Sequence, residues 1–278
     1  MKDLSRYQYE LQLLAQVEDM MLSLLPDTAS TIREAGYHHL TAGGSRVRAR
    51  LALQAAYALG LSEQTSVAIS SATEILHNAS LLHDDLQDAD TVRRGKEAVW
   101  QKFGKNAAVC TGDLFISASY AALACCKNER LNELVAHMHY NTEEVIVGQQ
   151  ADLEASDYSQ QAYEKIAMMK SGPLLGLPVE LCLIAAGRAD SISTAQQASY
   201  EIAIAYQVTD DIQDMDQDRE KGALNFTSLL VGSRDEVIAQ AKVYASERAR
   251  KAKRLAAELP HGSGRGLDLL AQRFVDAN

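Results

Sequence analysis

The stretch that decides the fold is SEQTSVAISSATEILHNASLLHDDLQDA, residues 62–89. Ser62 is a typical helix N-cap residue, and apolar side chains such as Ile75, Leu76 and Leu82 then recur at helical spacing. The apolar pattern stops where three aspartates begin. The stretch therefore predicts one long, largely buried helix that ends in a cluster of negative charge.

The same helical pattern continues through most of the chain. Only 4 Pro and 16 Gly interrupt 278 residues, and no run of alternating Val, Ile and Thr indicates a sheet. No flexible linker or composition shift divides the sequence, so we predict one all-α domain over residues 1–278. The predicted helices cover about 5–24, 46–60, 62–88, 107–126, 129–153, 160–170, 175–187, 193–213, 234–258 and 264–276, with loops at 90–104 and 215–226.

Charge and cysteine content restrict the classes of partner and the compartment. The net charge of -10 disfavours binding to nucleic acid or to an anionic membrane. The four cysteines lack CxxC spacing and read as free thiols in a reducing compartment. The N-terminus does not resemble a signal peptide, and the apolar stretch 172–187 is too short to span a bilayer. We therefore expect a cytoplasmic protein without a transmembrane segment.

The aspartates at the end of the opening stretch are Asp84, Asp85 and Asp88. Asp84 and Asp88 lie about 40° apart around a helix, so the carboxylates share one region of its surface. Like charges at this spacing repel, and the C-terminal end of a helix disfavours anions. A bound Mg²⁺ ion would compensate, although a single DDxxD pattern is also found at solvated helix ends.

A second DDxxD pattern makes the metal site the stronger interpretation. Asp210, Asp211 and Asp214 repeat the spacing 126 residues later, after another apolar helical segment. Two facing helices of this kind could hold metal ions between them and present those ions to a diphosphate.

Basic and polar residues complement the carboxylates. Arg and Lys bind phosphate oxygens, and His77 stands two helical turns before Asp84 on the same face. Any one of these residues can instead be a solvated surface charge or a packed histidine. The candidates are Arg46, Arg48 and Arg50 after Gly43-Gly44, Arg93 and Arg94, Lys170, Lys221, His77 and His83, with the polar pair Gln149 and Asp152 in an apolar helix.

Together these motifs resemble the trans-isoprenyl diphosphate synthases of the polyprenyl synthetase family. The matching elements occur in family order over roughly residues 40–230, and they are GGSRVR, ASLLHDDLQDADTVRRG, FGKNAAVCTGDLF, GQQADL, KSG and YQVTDDIQD. The resemblance implies a bundle of antiparallel helices around a central cavity, usually in a homodimer. It also implies transfer of an allylic cation, released from its diphosphate with the help of about three Mg²⁺ ions, to isopentenyl diphosphate.

The resemblance also assigns roles to individual residues. Asp84, Asp88 and Asp210 would be the principal magnesium ligands, supported by Asp85, Asp211 and Asp214. The allylic diphosphate would contact Arg93, Lys170 and Gln207, and the diphosphate of isopentenyl diphosphate would contact Arg48, His77 and Arg94. Lys221 matches a phosphate-binding lysine of the family only loosely.

Several positions depart from the family pattern. Ser45 replaces a lysine, Ala49 a proline and Trp100 a histidine, and the loop after the second aspartate motif is short and lacks a second lysine. These changes affect the site for isopentenyl diphosphate more than the aspartates. Two rival hypotheses therefore stay open, a non-catalytic subunit that modifies an active synthase and a class I terpene cyclase.

The length of the product depends on the residues one turn before the first aspartates. Ala79 and Ser80 are both small, whereas synthases that stop at farnesyl diphosphate tend to carry an aromatic residue there. We therefore predict geranylgeranyl diphosphate or a longer product, unless Thr73, Leu76 or residues of a partner helix block the cavity deeper down.

Overall fold

The computed structural model describes residues 2–155, 159–221 and 224–276, with side chains from residue 8 onward except those of 217 and 221. The described chain is almost entirely helical, which confirms the all-α prediction. The helices are α1 (Lys2–Ser23), α2 (Thr31–Leu40), α3 (Val47–Leu59), α4 (Glu63–Gln87), α5 (Val99–Phe103), α6 (Lys105–Ala124), α7 (Leu131–Leu153), α8 (Gln160–Ala185), α9 (Ile192–Lys221), α10 (Arg234–Glu258) and α11 (Arg265–Asp276). Short 3-10 turns occupy Ala189–Ser191, Phe226–Leu229 and Pro260–Gly262.

The chain divides into two compact units, residues 1–135 and 136–278, and each has its own core. In the first unit α4 is central and packs against α1, α3 and α6. In the second unit α9 packs against α8 and α10, and α11 covers α10. One domain spanning the whole chain stays a prediction.

Helix α4 begins as the sequence predicts. The Ser62 side chain accepts a hydrogen bond from the backbone N–H of Thr65 at 3.3 Å, a standard N-cap. At the other end the backbone N–H of Asp88 donates to the Asp84 carbonyl at 2.8 Å. Ala89 then takes a left-handed conformation, with φ of 57°, which turns the chain away from the helix.

Helix α8 corrects the predicted break near residues 171–174. The helix runs without interruption through Pro173 and Pro178, although each proline lacks the N–H that a helix interior uses. All residues from Gly172 to Ile184 are buried. Burial of this apolar segment therefore outweighs the free-energy cost of placing two prolines in the helix. A prediction from helix propensity alone overestimates that cost.

Three further differences concern short or terminal segments. Helix α2 was not predicted, because its sequence TIREAGYHHL has little apolar periodicity. The predicted loop 90–104 contains a minimal hairpin, β1 (Val92–Arg93) and β2 (Lys96–Glu97), followed by α5. Helix α9 continues two turns beyond the predicted end at residue 213, so the second aspartate motif lies inside a helix rather than at its end.

Two helices, α6 and α8, are long and apolar enough to cross a membrane by length and composition alone. The apolar stretch 172–187 was predicted to be too short for this, but it belongs to a longer helix. Within the described residues, 50% of the most apolar window of α6 and 72% of that of α8 are buried inside the protein. Core helices of water-soluble proteins meet the same criteria, so the finding is weak evidence for a membrane span.

Candidate active site

The first aspartate motif occupies the last turn of α4, and its members have different environments. Asp88 is exposed and Asp84 is partly exposed, whereas only 1% of the Asp85 side chain is accessible. The outer two carboxylates are therefore accessible to solvent, whereas the middle one is buried.

Arg93 on β1 forms an ion pair with Asp85, which compensates for the burial of this carboxylate. Its Nε donates to Asp85 Oδ1 at 2.6 Å, its Nη2 contacts the same oxygen, and Nη2 also lies 3.4 Å from Asp90 Oδ2. Burial raises the pKa of Asp85, although the Arg93 guanidinium opposes that shift. Asp85 Oδ2 is buried and accepts no hydrogen bond from the described residues, so one carboxylate oxygen is left without a partner.

The loop between α4 and α5 is fixed by tertiary hydrogen bonds. Trp100 donates its indole Nε1–H to the Asp90 carbonyl at 2.7 Å, and the Ala98 N–H donates to the Thr91 carbonyl at 2.9 Å. Arg94 takes a left-handed backbone conformation, with φ of 54°. These contacts hold Arg93 and Arg94 close to the end of α4, although they follow it along an irregular path.

The predicted contacts for the second diphosphate lie together in the first unit. Arg48 Nη1 is 3.1 Å from His77 Nε2, so this nitrogen accepts the hydrogen bond and carries no proton. Loss of hydration, and then the positive charges of Arg48 and Arg94, hold the pKa of His77 well below its ordinary value. His77 is therefore an uncharged side chain beside the cationic groups of Arg48 and Arg94.

Arg94 belongs to the same cluster. Its Nη1 donates to the Gly43 carbonyl at 2.6 Å and to Asn78 Oδ1 at 3.3 Å. Gly44 has φ of 131°, a conformation that favours glycine, and a Cβ there would lie 2.8 Å from Arg94 Cζ, so glycine leaves room for the guanidinium in this position. The Gly-Gly sequence thus allows an arginine, rather than a helix N-terminus alone, to approach the site.

Other candidate cations have structural partners instead. Arg46 is 6% exposed and binds Glu18 and the Leu40 carbonyl. Arg50 pairs with Glu10 at 2.7 Å. The sequence could not separate these arginines from Arg48, because the separation depends on which residues of α1 pack beside them.

The second aspartate motif shows the same difference in side-chain exposure as the first. On α9, Asp214 is exposed and Asp210 is partly exposed, whereas Asp211 is 2% exposed. Asp211 accepts hydrogen bonds on both oxygens, from the backbone N–H of Phe226 at 2.6 Å and from Gln207 Nε2 at 2.9 Å. Burial raises the pKa of Asp211 to about 6, despite the Phe226 hydrogen bond.

Lys170 on α8 lies in the second unit beside Asp152 of α7, with Nζ 2.6 Å from Asp152 Oδ2. The two helices approach closely because Gly148 has no side chain: a Cβ there would lie 2.5 Å from the Met169 carbonyl carbon. Asp152, one of the polar pair that the sequence places in an apolar helix, therefore orients the lysine. The side chain of Lys221 lies outside the described residues.

The two small residues upstream of Asp84 face different directions. Ala79 is 1% exposed and lies about 140° around α4 from Asp84. Ser80 is partly exposed and stands one turn before Asp84 on the same face. Of the two predicted floor residues, Ser80 is the one on the aspartate side of the helix.

These residues fit magnesium better than a metal that needs a complete protein cage. In the described part of the chain no three His, Cys, Asp or Glu side chains come close enough together to hold an ion by themselves. Mg²⁺ typically takes one or two carboxylates and completes its shell with water and phosphate oxygens. Asp84, Asp88, Asp210 and Asp214 are accessible oxygen donors, whereas Asp85 Oδ2 is buried and accepts no hydrogen bond from the described residues.

The sequence missed residues that support the site without belonging to a charged motif. Asn78, Asp90 and Asn225 each bond to a predicted site residue or to its backbone. Asn78 gave a weak signal, since an amide in an apolar helical run needs a partner. Asp90 and Asn225 lie in loops, where periodicity gives no information.

Comparison with solved structures identifies the fold. The structure matches geranylgeranyl pyrophosphate synthetase from Pyrococcus horikoshii with a TM-score of 0.85 over 100% of both chains, at 23% identity. That identity supports the fold alone. The fold is that of the all-α isoprenoid synthases.

The family model of the polyprenyl synthetases matches residues 29–227, and the chain belongs to this family. It is 31% identical to farnesyl diphosphate synthase from Bacillus subtilis over 70% of each chain. It is 27% identical to octaprenyl diphosphate synthase from Escherichia coli over 75% of this chain and 65% of the relative. Membership makes the protein an enzyme of the transferase class.

Proposed function

We propose that this protein condenses isopentenyl diphosphate with an allylic diphosphate, in a Mg²⁺-dependent reaction, to give geranylgeranyl diphosphate or a longer product. The observation that carries the proposal is the repeated arrangement of the two DDxxD motifs. In each motif the outer carboxylates are accessible while the middle one is buried and held by the protein. We further propose that the two motifs serve the same reaction within a single domain.

Different residues would bind the metal ions, hold the aspartate motifs in position and contact the allylic diphosphate. Asp84, Asp88, Asp210 and Asp214 would hold about three Mg²⁺ ions, whose positive charge would favour ionisation of the C–O bond of the allylic diphosphate. Asp85 and Asp211 keep the motifs in place, and Asp85 Oδ2 can support an ion. Arg93 has no hydrogen bond from Nη1 among the described residues, so that group can donate to a phosphate oxygen while Nε stays on Asp85.

The remaining basic residues complete the two diphosphate sites. Lys170, held by Asp152, would move its ammonium group onto the allylic diphosphate, and Gln207 and Lys221 would lie beside it. Arg48, neutral His77 and Arg94 would bind the diphosphate of isopentenyl diphosphate. The double bond of isopentenyl diphosphate then attacks the allylic cation, and a proton leaves to the released diphosphate. No protein nucleophile takes part, and exclusion of water protects the cation.

A direct assay tests this function and its rivals together. The purified chain alone, with Mg²⁺, labelled isopentenyl diphosphate and an allylic primer, should form a longer prenyl diphosphate. A modifying subunit would be inactive alone but would change the output of an added synthase. A terpene cyclase would convert geranylgeranyl diphosphate alone into a hydrocarbon.

Product length has its own test, because the names of the similar proteins cover farnesyl, geranylgeranyl and octaprenyl products. Ser80→Phe should shorten the product, since an aromatic ring there would occupy the aspartate side of α4. Ala79→Phe should instead cost about 1–3 kcal/mol of stability by overpacking, with a smaller change in product. Chromatography of the products and thermal unfolding measure the two effects, and shortening by Ala79→Phe alone would reverse the assignment.

Ser45 offers a test of the weakened second site. Ser45→Lys would place an ammonium group near Arg94, which donates to the Gly43 carbonyl two residues earlier in the chain. We expect the KM for isopentenyl diphosphate to fall about threefold to tenfold, with kcat unchanged, because uniform binding of the anion improves. Ser45→Gln extends the side chain without charge and is the matched control. An equal effect of both variants would exclude the electrostatic explanation.

We also propose a cytoplasmic homodimer. Exposed apolar side chains support association: Val109 is 42% exposed on α6, and Tyr140 and Ile146 are 59% and 56% exposed on α7. Light scattering at micromolar concentration should give twice the mass of one 30.3 kDa chain. A monomer at that concentration would contradict this part of the proposal.

A further inference from the structure

The segment after the second aspartate motif is bonded to α9 through one buried asparagine. Asn225 is 3% exposed. Its Nδ2 donates to the Asp211 carbonyl at 2.9 Å and to Asp218 Oδ2 at 2.8 Å. Its Oδ1 accepts hydrogen bonds from the N–H of Thr227 at 2.9 Å and from the Thr227 hydroxyl. The amide nitrogen therefore joins the segment to α9, while the amide oxygen fixes the turn within the segment.

Phe226 adds a second attachment. Its backbone N–H donates to Asp211 Oδ2, and its ring, 2% exposed, lies 5.3 Å from the ring of Tyr163 and 4.6 Å from that of Tyr244. The stacked contact with Tyr244 is nearly parallel, at 24°. Apolar packing on α8 and α10 thus fixes the position from which Asn225 and the Phe226 N–H reach α9.

The two residues of α9 that bond to Asn225 lie on either side of Asp214 in the sequence. Asp211 and Asp218 are seven residues apart, two helical turns or about 10 Å along α9, and Asp214 lies between them. Asp211 in turn holds Gln207, one turn earlier. A shift of Asn225 would therefore be transmitted to the stretch that carries Gln207, Asp210 and Asp214.

We propose that Asn225 is a positioning residue, which sets the rotation of α9 so that Asp210 and Asp214 present their carboxylates to a metal-bound diphosphate. It does not touch the substrate itself. The inference rests on the proposed function, since it assumes that these aspartates receive magnesium diphosphate. Catalysis of this kind is sensitive to small displacements, because the ligands must already be oriented when the diphosphate leaves.

The central experiment compares Asn225→Ala with wild type by kinetics and by calorimetric binding of Mg²⁺ with inorganic pyrophosphate. We expect kcat to fall about tenfold to fiftyfold, and the Mg²⁺ concentration for half-maximal rate and the pyrophosphate Kd to rise about fivefold. The KM for isopentenyl diphosphate should stay within about twofold, because Arg48, His77 and Arg94 belong to the first unit. Thermal unfolding checks that both proteins are folded at the assay temperature.

Two further variants separate positioning from simple stability. Ser228→Ala removes a 2.7 Å hydrogen bond to the Asn225 carbonyl within the same turn and leaves every bond to α9 intact, so its kinetics should match wild type. Asn225→Asp places a second carboxylate at the 2.8 Å contact with Asp218 and should be worse than Asn225→Ala. Adding Asp218→Asn restores a donor there and should recover at least part of the Mg²⁺ and pyrophosphate affinity.

The outcomes are distinguishable. Unchanged magnesium and pyrophosphate parameters in Asn225→Ala, or a loss of all activities in proportion to the unfolded fraction, would overturn the positioning role. If wild type transfers no prenyl group, the proposed function fails, but pyrophosphate binding by the same variants still decides whether Asn225 orients the aspartates.

Discussion

Replacement of Arg93 by alanine is expected to lower both activity and stability. The substitution removes the proposed donor to the allylic diphosphate and leaves Asp85, 1% exposed, without its ion-pair partner. A buried carboxylate that loses its partner costs about 2–4 kcal/mol, and loss of a charge-assisted contact in the transition state costs about a hundredfold to a thousandfold in kcat. Urea unfolding and steady-state kinetics measure the two effects separately.

The double variant Arg93→Met with Asp85→Leu distinguishes structure from chemistry. An apolar pair of similar volume should return the free energy of unfolding to within about 1 kcal/mol of wild type, because no buried charge remains unpaired. Activity should not return. Recovery of activity in the double variant would show that Arg93 serves only to neutralise Asp85, and wild-type stability of Arg93→Ala would show that the ion pair contributes little.

The second large expected effect concerns Asp210 and Asp211 on α9, where substitution of the first should reduce activity and substitution of the second should reduce stability. Asp210→Asn keeps the size of the side chain but removes a negative ligand, and we expect kcat to fall on the order of a thousandfold with little change in stability. Asp211→Ala removes the acceptor for the Phe226 N–H and for Gln207 inside the protein, which should cost about 2–3 kcal/mol of unfolding free energy.

Asp211→Asn is the matched control, since its amide oxygen can still accept the Phe226 hydrogen bond. It should be more stable than Asp211→Ala. If Asp210→Asn destabilised the protein while Asp211→Ala only slowed the reaction, the division between accessible and buried aspartates would be wrong.

The helices could largely be predicted from the sequence, because apolar residues recur at the helical period through α4, α6, α7 and α10. The exceptions have physical reasons. Local propensity placed a break at Pro173, but burial of α8 overrides it. The last two turns of α9 are polar, and the sequence gives no sign that Asn225 bonds to Asp211 and Asp218 there.

For the candidate site, the sequence supplied the aspartates and the basic residues but not their partners. Three carboxylates within five positions look equivalent in a motif, whereas helix rotation buries Asp85 and exposes Asp88. Likewise the pairing of Lys170 with Asp152 depends on the close approach of two helices at Gly148. Such distinctions arise from tertiary packing, which no local pattern encodes.

The Trp100 hydrogen bond to the Asp90 carbonyl gives the protein its own optical reporter. Trp100 is the only tryptophan in the chain and is partly exposed, and its partner lies two residues beyond Asp88 and three before Arg93. Indole emission depends on hydration and on the N–H hydrogen bond. Fluorescence titration with Mg²⁺ and pyrophosphate can therefore follow rearrangement of this loop in the unmodified enzyme, without an attached label.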